Sequence, residues 1–288
     1  MERKTELLIG SHVRMAAPDY FEGAVQELLS YDANAGMLYT GAPQNTVRIP
    51  LEKMRINEGE ELLRTHQIPS KNIVVHAPYI INPGSVDPEK RDFAVSFLNE
   101  ELKRSAALGV RDVVLHPGAY TTADPATGIR NVVETMNRLE IPDGIVIALE
   151  TMAGAGSQIG RTLEELAGIL EGVKEKEHFA VCLDTCHMFA AGYDVSDADA
   201  LLAQFDHVLG LNLLHVIHLN DSKEPFHSHK DRHANLGKGM IGFDALNAIA
   251  HHPLTSSVVK ILETPYIDGK PPYKEEIAEI RRGSLDPA

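Results

Sequence analysis

Cysteine, cationic charge and long apolar runs are all scarce in this chain, and each scarcity removes a class of explanation. Only two cysteines occur in 288 residues, Cys182 and Cys186, four apart inside one short apolar segment. Strand geometry would separate their Cα atoms beyond the roughly 4.4–6.8 Å that a disulfide needs. Both therefore read as buried free thiols in a reducing compartment. No stretch approaches the roughly 20 apolar residues needed to span a bilayer. The opening MERKTELLIGSH is charged and has no apolar core of a secretory signal. Together these features predict a cytoplasmic protein without a membrane partner. Lysine and arginine total 27 against 41 aspartates and glutamates, for a formal net charge of −14. Averaged over the surface, that opposes a polyanionic partner, because phosphate binding relies on Lys and Arg. Fourteen histidines beside this acidic balance keep divalent cations in play.

What the chain does contain is a repeated unit: a short, near-continuous apolar run followed by a helical pattern. The runs fall at residues 7–12, 36–40, 72–76, 112–116, 145–150, 179–184, 215–219 and 259–263. Helical patterns follow at about 20–31, 51–66, 87–108, 128–139, 162–171, 197–205, 243–250 and 273–282. Gly109 closes the third of these as a residue just past a helix end should. Eight β-then-α units with no linker or composition break predict an α/β fold, one closed (β/α)8 barrel over residues 1–288. An open doubly wound sheet is the structural rival.

The runs end alike. IVVH, VVLH, IALE, VCLD, VIH and KILE finish on His76, His116, Glu150, Asp184, His218 and Glu263, every strand from the third to the eighth. One such ending has an ordinary explanation as a packed or capping residue, whereas six at equivalent positions are hard to assign to chance. In a barrel these ends share one rim and converge on its axis. His187 follows Asp184 by three residues in DTCH, and Asp231 and His233 form an i, i+2 pair in the glycine-closed loop after His218. Five imidazoles and four carboxylates exceed the needs of one tetrahedral ion. Catalytic zinc takes about three protein ligands, so this inventory points to as many as three ions sharing carboxylates. Mixed nitrogen and oxygen donors favour zinc, with manganese or iron as substitutes. Three divalent ions would outweigh the four carboxylates and make the rim locally positive, suited to an anionic substrate. Closely spaced metals activate water, polarise a phosphoryl oxygen and neutralise a departing alkoxide, which is the chemistry of phosphodiester hydrolysis.

GSHV at 10–13, VVHAPYIIN at 74–82, LHPG at 115–118, ALET at 148–151, CLDTCHMFAAGYD at 182–194, HLNDSK at 218–223, KDRHANLGKG at 230–239 and LETP at 262–265 resemble the motifs of the endonuclease IV family of apurinic/apyrimidinic endonucleases. The likeness runs essentially end to end, and CLDTCH with DRH thirteen residues after His218 is its most specific part. It implies a TIM barrel of the xylose-isomerase-like superfamily with three Zn2+ ions. It also implies incision of double-stranded DNA 5′ to an abasic site, leaving a 3′-hydroxyl and a 5′-deoxyribose phosphate, with 3′-end trimming as an associated phosphodiesterase activity. His76, His116 and Glu150 would hold one ion, Asp184, His218 and Glu263 with the shared Glu150 its neighbour, and His187, Asp231 and His233 the third. Glu150 would orient the attacking hydroxide. Tyr79 and Ile80 match positions that enter the DNA at the lesion, and Arg48 in PQNTVR is the candidate wedge arginine of the second loop. After GSHV the chain departs from the family, with Arg14-Met15-Ala16-Ala17-Pro18-Asp19 where small residues are usual.

Arg232, with Lys223 and Lys230, is a candidate phosphate contact, although solvated charge is the default for each. His227 and His229 read as exposed loop residues, and Gly154-x-Gly156-x-x-x-Gly160 has the wrong spacing for a dinucleotide loop and reads as a rim turn. Two rival functions remain: a metal-dependent sugar isomerase or epimerase on the related barrel, which uses fewer metal ligands, and a non-catalytic, metal-stabilised binding protein. A monomer is the default state.

Overall fold

The computed structural model describes residues 6–285. Its strands are β1 (Ile9–His12), β2 (Ala35–Leu38), β3 (Ile73–His76), β4 (Asp112–Leu115), β5 (Val146–Glu150), β6 (Phe179–Asp184), β7 (Leu214–His218), the short β8 (Asp221–Ser222) and β9 (His233–Ala234), and β10 (Val259–Leu262). All but β8 and β9 pair in parallel around a closed barrel, in which β1 contacts both β2 and β10. The helices are α1 (Tyr20–Ser30), α2 (Ile56–Thr65), α3 (Pro88–Ala107), α4 (Pro125–Met136), α5 (Leu163–Gly172), α6 (Thr185–Ala191), α7 (Ala198–Val208), α8 (Phe243–His251) and α9 (Tyr273–Arg282). Among the described residues, no helix is long and apolar enough to cross a membrane.

Successive strand side chains point to opposite faces, so parity decides what lies inside the barrel. Met37, Val74, Val114, Ala148, Ala180, Cys182, Val216, Val259 and Ile261 form the interior cluster. Their neighbours, including Val75, Val113, Ile147, Leu149, Val181, Leu183, Ile217 and Leu262, pack outward against the helices. His76, His116, Glu150, Asp184, His218 and Glu263 each stand two residues beyond an interior position. The same parity that fills the barrel therefore turns all six toward its axis at the carboxyl-end rim.

Local chemistry explains where the elements depart from the sequence pattern. Residues 51–66 are not one helix: a 3-10 turn at Leu51–Lys53 precedes α2, and Arg55 between them takes a left-handed φ of 55°. Asp124 accepts a hydrogen bond from the Thr127 amide, which starts α4 at Pro125 rather than near 128. The fourth and eighth barrel strands stop at Leu115 and Leu262, one residue before His116 and Glu263. Helix α6 has no counterpart in the sequence reading. Asp184 caps its first turn through the His187 amide, and Gly192 at φ 104° ends it.

Candidate metal centre

Glu150 is the hub of the rim. Its carboxylate lies 3.2 Å from His76 Nε2, 3.1 Å from His116 Nε2, 3.3 Å from His187 Nδ1 and 3.1 Å from His218 Nδ1. Around it the donor atoms fall into three groups: His76, His116 and Glu150; Glu150, Asp184, His218 and Glu263; and His187, Asp231 and His233. All nine donor residues named from the sequence are thus brought together. In a further grouping, the Cys186 sulfur approaches Asp184 and His233. Burial pushes that thiol up to about 12, with the Asp184 carboxylate adding to the shift, so it faces the others as a neutral group.

The electrostatics follow from packing both charge signs out of water. Burial works to raise the Glu150 carboxyl, but the His218 and His116 imidazoles hold it well below the usual carboxylate range. Glu263 is lowered in the same way, chiefly by His218 acting against burial. Burial would lower His187, and Asp184 with Asp231 and Glu150 instead holds it well above its ordinary value. For His218, burial is outweighed by the Cys182 thiol, Glu263 and Glu150.

Divalent cations fit this arrangement on two observations. The buried Nε2 atoms of His187 and His233 have no hydrogen-bond partner, yet lie 3.2 and 3.3 Å from the Asp231 carboxylate. Their other ring nitrogens are already committed: His187 Nδ1 donates to the Thr151 carbonyl at 2.8 Å and His233 Nδ1 to that of Glu263 at 3.3 Å. His76 Nδ1 likewise donates to the Ala77 carbonyl at 2.7 Å. With one nitrogen fixed as a donor, the other faces inward and offers its lone pair once a cation displaces the proton, the usual arrangement of a metal-ligating histidine.

Several orienting residues were not singled out from the sequence. Asn220, fully buried, donates from Nδ2 to Asp184 Oδ2 at 2.8 Å and accepts the Glu263 amide at 2.9 Å. Thr151 Oγ1 accepts the Asp184 amide at 3.0 Å. Thr185 donates to the Asn220 carbonyl at 2.7 Å. Each stands beside or close to a ligand-type residue in ALET, LDTCH or HLNDSK, and that adjacency was the available signal.

The surrounding rim holds the remaining candidates in contrasting ways. Tyr79 is 54% exposed, Ile80 packs partly against the core, and Arg232 is exposed, donating to its neighbour's carbonyl at 2.7 Å. Arg48 turns the other way. Its Nε meets Glu101 Oε1 at 2.5 Å, its NH1 donates to the carbonyls of Ala42, Asn45 and Val47, and its guanidinium lies over Phe97. His227 is exposed, while His229 donates to the Ala153 carbonyl at 3.2 Å and closes over Gly154 in the rim turn.

With this geometry in place, similarity to known proteins is specific. A family model described as a xylose isomerase-like TIM barrel matches residues 25–283. Probable endonuclease 4 of Listeria monocytogenes serovar 1/2a is 50% identical over 289 residues, covering 98% of this chain and 97% of that protein. Probable endonuclease 4 of Enterococcus faecalis is 48% identical over 292 residues, with the same coverage. The crystal structure of endonuclease IV from Thermus thermophilus superimposes with a TM-score of 0.83 at 29% identity, covering 95% of this chain and 97% of that one. A D-tagatose 3-epimerase-like protein, at 19% identity and a TM-score of 0.70, shares the fold. The chain belongs to the endonuclease IV family of xylose isomerase-like TIM barrels.

Proposed function

We propose that this protein is an abasic-site endonuclease, hydrolysing the phosphodiester 5′ to the lesion in double-stranded DNA with three zinc ions held by the nine clustered residues. The observation that carries the reading is Glu150, one buried carboxylate within 3.3 Å of four imidazoles and common to two of the three donor groups. When bound, such ions lower the pKa of water, polarise the phosphoryl oxygen and neutralise the departing 3′-oxygen. The P–O3′ bond breaks as water adds, leaving a 3′-hydroxyl on one side and a 5′-phosphate on the abasic sugar. Glu150, kept ionised by its histidines, accepts a hydrogen bond from the attacking water and sets its direction. His116, the most open of the first group, and the half-exposed Asp231 border the side from which a phosphate enters.

Tyr79 and Ile80, just past β3, would enter the duplex beside the lesion, and Arg232, Lys223 and Lys230 would meet backbone phosphates. Arg48 supports its loop from within. Specificity then comes from DNA shape and an extruded sugar rather than from base edges. The same centre would trim blocked 3′ ends, and the protein would act as a cytoplasmic monomer. A sugar isomerase would have no need of the His187, Asp231 and His233 group.

The test is incision of a duplex carrying one abasic analogue, before and after prolonged chelation, with sugar isomerisation measured alongside. Chelator-sensitive nicking 5′ to the analogue, restored by zinc, is the expected result. Isomerase activity without nicking, or nicking that survives complete metal removal, overturns the proposal.

A further inference from the structure

Glu276 lies on α9, outside the donor groups, and is 4% exposed. A carboxylate so deeply buried is costly unless its oxygens are satisfied, and here each satisfies a different loop. Oε1 accepts the Asn235 side-chain amide at 3.0 Å and the Leu236 backbone amide at 3.2 Å. Oε2 accepts the Thr264 hydroxyl. Asn235 lies two residues beyond His233, and Thr264 directly follows Glu263.

We propose that Glu276 is a positioning residue that clamps the hairpin strand carrying His233 to the strand end carrying Glu263, and so fixes the distance between two of the metal-binding groups. Three further bonds make the clamp a unit. Asn235 Nδ2 also donates to the Pro265 carbonyl at 2.9 Å, and His233 Nδ1 donates to the Glu263 carbonyl at 3.3 Å. Tyr273, at the start of α9, donates to the Thr264 carbonyl at 3.2 Å. The β8–β9 pairing holds the hairpin together, with Ser222 opposite His233. The β8 side of that pairing is tied to the barrel through Asn220, which accepts the Glu263 amide at 2.9 Å, and the carboxylate of Glu276 ties the β9 side. Without that carboxylate, the His233, Asn235 and Asn220 bonds alone set the separation of Glu263 and His233, a looser tie, while both backbones stay folded. The His76 and His116 positions, across the rim on β3 and after β4, lie outside this network.

This inference rests on the metal-centre reading above, and the wild-type arm of its test separates the two. Zinc retained per chain would be measured by elemental analysis against a graded competing chelator, on the folded fraction of wild type, Glu276→Ala, Glu276→Gln and Thr264→Val, together with melting temperature. In Glu276→Ala, zinc affinity at the Glu263 and His233 groups is expected to fall by about 10- to 100-fold, as for lost outer-shell partners elsewhere. Glu276→Gln should recover most of it, because the amide oxygen accepts the Asn235 and Leu236 N–H groups and the amide nitrogen donates to Thr264 Oγ. If Glu276→Ala does not fold, Thr264→Val, which removes a single bond of the clamp, decides by the same measurement: weakened retention supports the clamp and unchanged retention overturns it. A lower melting temperature with wild-type zinc retention would make Glu276 a structural residue only and overturn the inference. A wild type that binds no zinc would instead remove the metal-centre reading beneath it.

Discussion

Arg48 and Glu101 meet at 2.5 Å with side chains only 6% and 0% exposed, an ion pair spanning the loop after β2 and the middle of α3. Removing one partner of such a pair leaves the other charge buried and uncompensated, which typically destabilises by about 3–5 kcal/mol. Glu101 would keep the Thr40 hydroxyl as a donor and the buried Arg104 guanidinium as a nearby positive charge, which puts the loss at the low end of that range. Arg48→Ala is therefore expected to lower folding stability by about 3 kcal/mol. Arg232→Ala, at an exposed position, should change it by no more than about 0.5 kcal/mol. Urea denaturation of both variants measures the contrast, and a similarly small loss in each would contradict the buried pairing.

Gly10 opens the GSHV motif and pairs with Ala35 across β1 and β2. A Cβ added there would stand 1.7 Å from the Ala35 carbonyl oxygen, a backbone atom that cannot move without breaking the strand register. Gly10→Ala should destabilise by about 3 kcal/mol or more, the upper range for overpacking. Gly144→Ala is the control: nothing lies within 4 Å of the added carbon, and only a left-handed φ of 82° opposes it. That conformational penalty is about 1–2 kcal/mol. Equal denaturation midpoints for the two variants would show that the close approach at Gly10 is not what demands glycine.

Much of the architecture was legible because it depends on chain-local physics. The apolar runs had strand length, the helical patterns had the right period, and ligand-type residues stood at strand ends, so a barrel with a polar rim could be read before any coordinate. Parity supplies the reason those six ends converge, since each sits two residues past an interior apolar side chain. What escaped depends on contacts between distant segments. Helix α6 is seven residues of a pattern too short to register, and β8 and β9 are two residues each. The inward turn of Arg48 is decided by Glu101, 53 positions away. The role of Glu276 depends on Asn235, 41 positions away.

Lys260 gives a prediction with a definite pH sign. It is fully buried on β10, and its ammonium donates to the Thr255 carbonyl. Burial lowers its pKa from 10.5 to about 8. Between those values the unfolded chain holds a proton that the folded chain has released, so this residue makes stability rise with pH across the window. Below about 8 both states are charged and the desolvation penalty is complete. Lys260→Met removes that penalty and costs one hydrogen bond, about 1 kcal/mol, while the Thr255 carbonyl keeps the Val258 amide as a donor at 2.9 Å. The variant should be more stable than wild type at pH 7 by about 2 kcal/mol. The margin should shrink as pH rises from 8 toward 10.5. Denaturation series at three pH values test this, and a margin that grows with pH would contradict burial as the cause.

Glu150 and Asp231 differ in how many donor groups they serve, and on the proposed reading that difference is countable. Glu150 belongs both to the group with His76 and His116 and to the group with Asp184, His218 and Glu263, whereas Asp231 belongs only to that with His187 and His233. Glu150→Gln preserves shape but removes the negative charge that four imidazoles face, so cation binding should fail in both groups. Asp231→Asn, on a side chain 43% exposed, should weaken only the third. Losses in zinc affinity should exceed the roughly 10- to 100-fold typical of an outer-shell change. Elemental analysis of the folded variants should show about two ions lost from the first and one from the second. Incision of an abasic duplex should fall in both, and further in Glu150→Gln, where the water-directing group is also gone. Equal metal losses from the two variants would mean that Glu150 is not shared, and the three-group arrangement would have to be redrawn.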